Sequence, residues 1–156
     1  MAGAQTGVRV ELAEEGSASV ATGLPVLDHL VGELARSAGL RLTLEVAPGG
    51  VEAEVAAAGR ALGEALAEPL RGHGASGRGW ALLPADEAFA GAGLEVSHRP
   101  LVVSNVDFSG ELLGGLASDV VSRFLNELAA GAGVNVHIRL FEGKDPEHVL
   151  RAIFKA

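Results

Sequence analysis

Ser37-Ala38-Gly39-Leu40-Arg41-Leu42-Thr43-Leu44 returns, in altered letters, as Gly131-Ala132-Gly133-Val134-Asn135-Val136-His137-Ile138. In each copy a run of small residues ends at a glycine, the ordinary stop of a helix, and apolar then alternates with polar as in a half-buried strand. A helix–stop–strand junction written twice in one chain points to an internal duplication. The flanking segments follow the same order. In the first half Val8–Leu12 and Ala18–Thr22 read as a hairpin around Glu14-Glu15-Gly16, and apolar Val26, Leu27, Leu30, Val31, Leu34 and Ala35 give helical spacing over Val26–Ala38. Leu40–Val46 is the strand, Pro48-Gly49-Gly50 breaks it, and an Ala-rich helix is expected over Ala53–Leu70. In the second half strands are expected near Gly93–Val96 and over Leu101–Val106, the latter leading into Asp107-Phe108. A helix follows over Ser118–Ala130 with Ser118 as its cap, then a strand over Val134–Leu140. Gly143 turns, and Asp145 caps a last helix that begins with Pro146. Two ββαβα halves imply an α+β fold, with mixed sheets and helices layered on one side. The expected organisation is one domain over 1–156, with repeats at about 1–71 and 78–156 and a glycine-rich linker, 72–77, that carries His73.

With 156 residues and 48% apolar content the chain is long enough to bury a core, and rich enough in apolar surface to expect an oligomer. A net charge of −8 argues against nucleic acid, which needs a basic face to displace counterions. There is no cysteine, so disulfides and thiolate ligands are excluded and any transition-metal site must use imidazole and carboxylate. No apolar run approaches the ~20 residues of a membrane span. Met1–Gln5 has neither a basic region nor an apolar core, so no secretory leader is expected. A soluble, cytoplasmic protein without membrane or nucleic-acid partners is the expectation.

Several short segments stand in an order that carries a family resemblance. They are Thr22-Gly23-Leu24-Pro25-Val26-Leu27-Asp28-His29, Leu62-Gly63-Glu64-Ala65-Leu66, Pro84-Ala85-Asp86-Glu87-Ala88-Phe89 and Ser97-His98-Arg99-Pro100, then Val136-His137-Ile138-Arg139, Gly143-Lys144 and Phe154-Lys155-Ala156. Taken together the chain resembles the imidazoleglycerol-phosphate dehydratases, manganese-dependent lyases of histidine biosynthesis. The resemblance implies their tandem-repeat fold. It also implies their reaction, the removal of water from imidazoleglycerol phosphate to give imidazole acetol phosphate, in which two Mn²⁺ ions bind the imidazole ring. Metal charge supplies what a side chain cannot where the departing proton is barely acidic. Assembly of identical subunits completes each site in that family.

Carried across residue by residue, the resemblance implies His29, His137 and His148 as metal ligands. The family's first His-His-x-x-Glu signature reads here as Glu52, Ala53 and Ala56, and a glutamate near its start as Gln5. The second signature falls on Glu147-His148-Val149-Leu150-Arg151, with Arg151 at the glutamate position. Arginine has no lone pair to offer a metal. Cofactor expectations therefore run from a remnant Mn²⁺ site to no metal at all. Glu52, Glu54 and Glu147 have two open readings: substitute ligands in one mixed site with the three histidines, or helix-surface acids. In the second reading Glu147 pairs with Arg151 at i, i+4, and Glu52 and Glu54 favour the first turn of their helix. Arg99, Lys144 and Arg78, which stands one place from a family arginine, resemble phosphate contacts; a guanidinium suits bidentate phosphate binding. His98 replaces a glycine beside Arg99, and Asp86-Glu87 is expected to supply one structural or functional carboxylate. The family also continues past Phe154-Lys155-Ala156 into a Ser/Lys phosphate-binding segment that this sequence does not contain.

Three functions follow as expectations: a divergent dehydratase acting on a small phosphorylated imidazole metabolite; a non-catalytic binding or scaffold subunit, homo-oligomeric or co-assembled with a related chain; and a phosphorylated-metabolite binding protein resting on Arg99 and Lys144. Ala53, Ala56 and Arg151 favour the second.

Overall fold

The computed structural model describes residues 5–72, 74–106, 112, 113 and 116–156, without the side chains of 112, 113 and 116–118. His73 and Asp107-Phe108 lie outside the described residues, as does the side chain of Ser118 and with it the expected cap.

The first half runs β1 (Gly7–Leu12), β2 (Ser17–Ala21), α1 (Pro25–Ser37), β3 (Leu40–Glu45) and α2 (Val51–Ala67). The second contains β4 (Arg78–Ala85), β5 (Ala88–Val96), β6 (Leu101–Ser104), β7 (Leu112–Leu113), β8 (Leu116–Ala117), α3 (Ser118–Ala132), β9 (Val134–Glu142) and α4 (Pro146–Lys155). The duplication is visible in the hydrogen-bond register. β3 pairs antiparallel with β1, Leu12 opposite Leu40, and parallel with β2, Ser17 opposite Arg41. β9 does the same with β5 and β6, Val96 opposite Val134 and Leu101 opposite Asn135. Both glycines of the repeated junction have positive φ, 66° at Gly39 and 68° at Gly133, and each carbonyl accepts from the equivalent amide, Ala13 or Ser97, at 2.9 Å. A left-handed residue lets the chain leave the helix and enter the strand without a Cβ clash, so both junctions carry glycine.

Two expectations are corrected. β1 and β2 do not form a hairpin: the sheet order is β1-β3-β2, because β3 returns after α1 and inserts between them. The second sheet, β4-β5-β9-β6, has an additional edge strand, β4, and β5 begins five residues before the expected Gly93. β4 contains Pro84, which an edge strand tolerates because its unpaired side needs no donor. A two-residue turn at Asp86-Glu87 joins β4 to β5, with Asp86 at φ 51°.

α1 and α2 rest on the first sheet, α3 and α4 on the second, and across the halves α2 packs on α3 and α1 on α4. One core therefore spans both repeats, with Leu27, Leu30, Leu62, Phe124, Leu150 and Phe154 buried together. Phe124 and Phe154 stack at 5.8 Å between centroids. Among the described residues the opposite face of each sheet carries no helix. Among the described residues no helix is long and apolar enough to cross a membrane.

Candidate functional site

The amino end of α4 carries a cluster of charged groups, and it starts from local capping. Asp145 accepts from the amides of Glu147 and His148 at 2.9 and 3.3 Å, and Pro146 opens the helix, both as expected from the sequence. Glu87, on the β4–β5 turn, adds a second anion there: its Oε1 accepts from the amides of Lys144 (3.3 Å) and Asp145 (2.9 Å). Its Oε2 lies 2.5 Å from His148 Nδ1. Asp86 Oδ2 lies 3.3 Å from His148 Nε2 and accepts from Arg151 Nη1, also at 3.3 Å. The Asp145 amide above all, and then His148, hold the Glu87 carboxyl down at about 2 from an ordinary 4.5. The bond to Glu87 is also the main force raising His148 above 6.5, against partial desolvation and with help from the charges of Asp145, Glu87 and Asp86. Carboxylates beside both nitrogens of an imidazole favour its protonated form. Arg151 thus meets Asp86, on a neighbouring turn, rather than the expected Glu147.

His29 lies elsewhere. It stands on α1 beside Glu33, 3.9 Å away, in a groove of about 310 Å³ between α1 and α4 lined also by Leu30, Glu147 and Leu150. His137 points from β9 to the helix-free face of the second sheet, in one row with Trp80, Gly93 and Val103. The three histidines therefore occupy three separate places within one chain: a helix–helix groove, the far face of a sheet, and the α4 cluster. Among the described residues no three His, Asp or Glu side chains are grouped to hold an ion. Glu52 and Glu54 sit in the first turn of α2, as expected of acids at a helix amino end, and Glu54 Oε1 also accepts from the Gly49 amide at 3.0 Å.

The cationic residues divide between the two ends of β5. Arg78 faces Glu95 in the β4–β5 register, and Arg99 follows three residues after β5 ends, its amide donating to Ser97 Oγ at 3.0 Å. Lys144 sits past the other end, where β9 leaves its partner Phe89. Nine strand residues span about 25–30 Å, so one phosphate cannot meet all three within a chain. Among the described residues neither arginine forms an ion pair. Sequence reasoning left the roles of Asp86 and Glu87 undivided. The cue it had was the resemblance of Pro84-Ala85-Asp86-Glu87-Ala88-Phe89 to a family segment; the partners of the two acids lie some sixty residues onward and carry no local mark.

Fold and cluster together define an α+β protein of two ββαβα halves, with a charged cluster where the β4–β5 turn meets the last helix. A profile of imidazoleglycerol-phosphate dehydratase matches residues 22–156. The dehydratase of Chlorobium phaeovibrioides is 33% identical over 156 residues, covering 96% of this chain and 76% of that one. The dehydratase of Anaeromyxobacter sp. strain K is 37% identical over 160 residues, covering 97% and 76%. Crystal structures of the Staphylococcus aureus and Pyrococcus furiosus dehydratases superpose with TM-scores of 0.84 and 0.81, at 26% and 25% identity. They cover 97% and 100% of this chain, and 88% and 86% of those. The chain belongs to the imidazoleglycerol-phosphate dehydratase family.

Proposed function

We propose that this chain is a subunit of the dehydratase type that does not itself dehydrate imidazoleglycerol phosphate. It acts as a binding or scaffold subunit, assembled with copies of itself or with a related, catalytically complete chain in the cytoplasm. One observation carries the reading. At the second metal-binding signature His148 has both ring nitrogens on carboxylates, and the glutamate position is an arginine directed to Asp86. A guanidinium has no lone pair to give, and carboxylates beside both ring nitrogens favour the protonated imidazole over the deprotonated form a metal requires. With Ala53 and Ala56 at the first signature, the donors present do not fit a dimanganese centre of the family pattern. Arg78 and Arg99, close to the same end of β5 and free of ion pairs among the described residues, support retained binding of a phosphorylated ligand.

The test is turnover of imidazoleglycerol phosphate by the purified chain loaded with Mn²⁺, alongside its metal content after desalting. No manganese-dependent turnover is expected; clear turnover in a preparation free of host enzyme overturns the reading. One observation favours a second reading, an active dehydratase with a rearranged site: His29 and Glu147 share the α1–α4 groove, and imidazole with carboxylate suits Mn²⁺. About one manganese per chain together with turnover would select it.

A further inference from the structure

The cluster at the amino end of α4 sets acids against bases. Asp86 and Glu87 bring two carboxylates from the β4–β5 turn, and the helix brings the guanidinium of Arg151 and the ring of His148, whose Nδ1 bonds Glu87 and whose Nε2 lies 3.3 Å from Asp86. Each contact uses an atom a metal would need. Both His148 nitrogens face carboxylates, Glu87 uses one oxygen on the helix amides and the other on His148, and Asp86 Oδ2 is shared by His148 and Arg151.

We infer that this contact is a resident-cation clasp: Arg151 supplies, as a covalent part of the chain, the positive charge that holds Asp86, Glu87 and His148 together, and the clasp fastens the β4–β5 hairpin to α4 without a metal ion. Three features support it. The hairpin is edge structure, since among the described residues β4 pairs only with β5, and α4 is what it packs on. Asp86 holds a left-handed backbone (φ 51°), a conformation that persists where surrounding contacts fix it. Lys155, one turn beyond Arg151, adds a parallel tie by donating to the Pro84 carbonyl at 2.6 Å. The positive charges thus come from α4 and the acceptors from the hairpin end. A divalent ion would have to displace a guanidinium whose charge already repels it.

The inference deepens the proposed function and rests on it for reading residues 147–151 as the second signature; the clasp itself rests on the contacts. It is tested on the full chain by thermal unfolding in chelator and in millimolar Mn²⁺, with the electron paramagnetic resonance signal of bound Mn²⁺ as a second readout. Arg151→Glu replaces the guanidinium of the cluster with a third carboxylate, a change of two charge units toward negative. Its midpoint in chelator should fall by about 2–6 °C, and Mn²⁺ should restore part of the loss with a bound-Mn²⁺ signal that His148→Ala in the same background removes. Arg151→Gln, which removes the cation without adding a carboxylate, should be lowered in the same direction and respond to Mn²⁺ far less than Arg151→Glu. The unaltered chain should show no Mn²⁺ shift that depends on His148. A Mn²⁺ shift in the unaltered chain that His148→Ala abolishes would make His148 a ligand and overturn the clasp. Midpoints for both Arg151 variants equal to the parent's would overturn it equally. Mn²⁺ binding that survives His148→Ala would uphold the clasp while counting against the proposed function, because ligands elsewhere would then be holding metal.

Discussion

Glu87 is the residue on which the α4 cluster turns, since it binds backbone amides with one oxygen and His148 with the other. Its carboxyl is lowered from 4.5 to about 2, so its stabilising contribution is complete above about pH 4.5 and is lost as pH falls through about 2. His148 is shifted the other way, above 6.5: its contribution is complete below 6.5 and is lost as pH rises through its folded value. The charged groups facing the pair are Asp86, Asp145 and Arg151. The two contributions overlap between about pH 4.5 and 6.5. The gap in melting temperature between the parent and Glu87→Gln is therefore expected to be widest in that window. It should narrow on acidification toward pH 2 and also above neutrality. A gap that narrows on acidification but not above neutrality, measured by calorimetry across the range, would mean that Glu87 acts only through the backbone amides it binds. At this scale the sequence was partly legible. Asp145 and Pro146 announce the helix start by chemistry confined to three residues. Arg151 was misassigned to Glu147 because i, i+4 spacing is visible in sequence, whereas a turn folded back from the preceding hairpin is not.

Among the described helices, α2 and α3 share the most extensive contact, and glycines set their distance. A Cβ at Gly63 would lie 2.3 Å from the Leu128 carbonyl oxygen, one at Gly59 2.6 Å from that of Phe124, and one at Gly131 2.6 Å from that of Arg60. These atoms are backbone and cannot swing aside, so each added methyl must push two helices apart. Alanine normally favours a helix over glycine by about 1 kcal/mol, and overpacking costs about 1–3 kcal/mol or more. Gly63→Ala is thus expected to lower stability by about 1–3 kcal/mol in urea unfolding despite its better helix propensity. Gly79→Ala, with no atom within 4 Å of the new Cβ, should stay within about 0.5 kcal/mol of the parent. Equal effects at the two positions would sink the close-packing account. Helices and strands with clear periodicity were readable to within a few residues: α1 begins at Pro25 rather than Val26, and α2 runs Val51–Ala67 rather than 53–70. Pairing was not readable, because β3 and β9 choose partners on both sides by packing after a helix has intervened. β4 escaped notice because Pro84 and Gly79 interrupt the alternation that marks a strand.

Across the whole molecule the duplication provides its own control for the helix-free faces of the two sheets. Register equates Ser17 with Leu101, Ser19 with Val103 and Thr43 with His137. The first face presents Arg9, Glu11, Ser17, Ser19, Arg41, Thr43 and Glu45, with Arg41 bonded to Glu11, as a surface made for water. The second presents Leu101, Val103, Leu82, Phe89, Phe141 and a Trp80 that is 80% exposed, around His137 and Arg139. One backbone has been given two surfaces, and contiguous exposed apolar groups of this kind mark places where another chain sits. The proposed assembly uses this face, and it would carry His137 toward a neighbouring subunit. Sedimentation at micromolar concentration should accordingly show species larger than the 15.8 kDa chain. Trp80→Glu combined with Val103→Glu should weaken association by roughly thirty-fold or more, as the loss of a buried aromatic anchor worth about 2 kcal/mol requires. The far-ultraviolet dichroism should stay unchanged, because both side chains point away from the core. A double change on the polar first face, Arg9→Glu with Ser19→Glu, at the positions that register equates with Gly93 and Val103, should leave the assembly intact. A parent that sediments only as a monomer, or an assembly broken equally by both pairs of changes, would remove the second sheet as the contact and with it the route by which His137 reaches another chain.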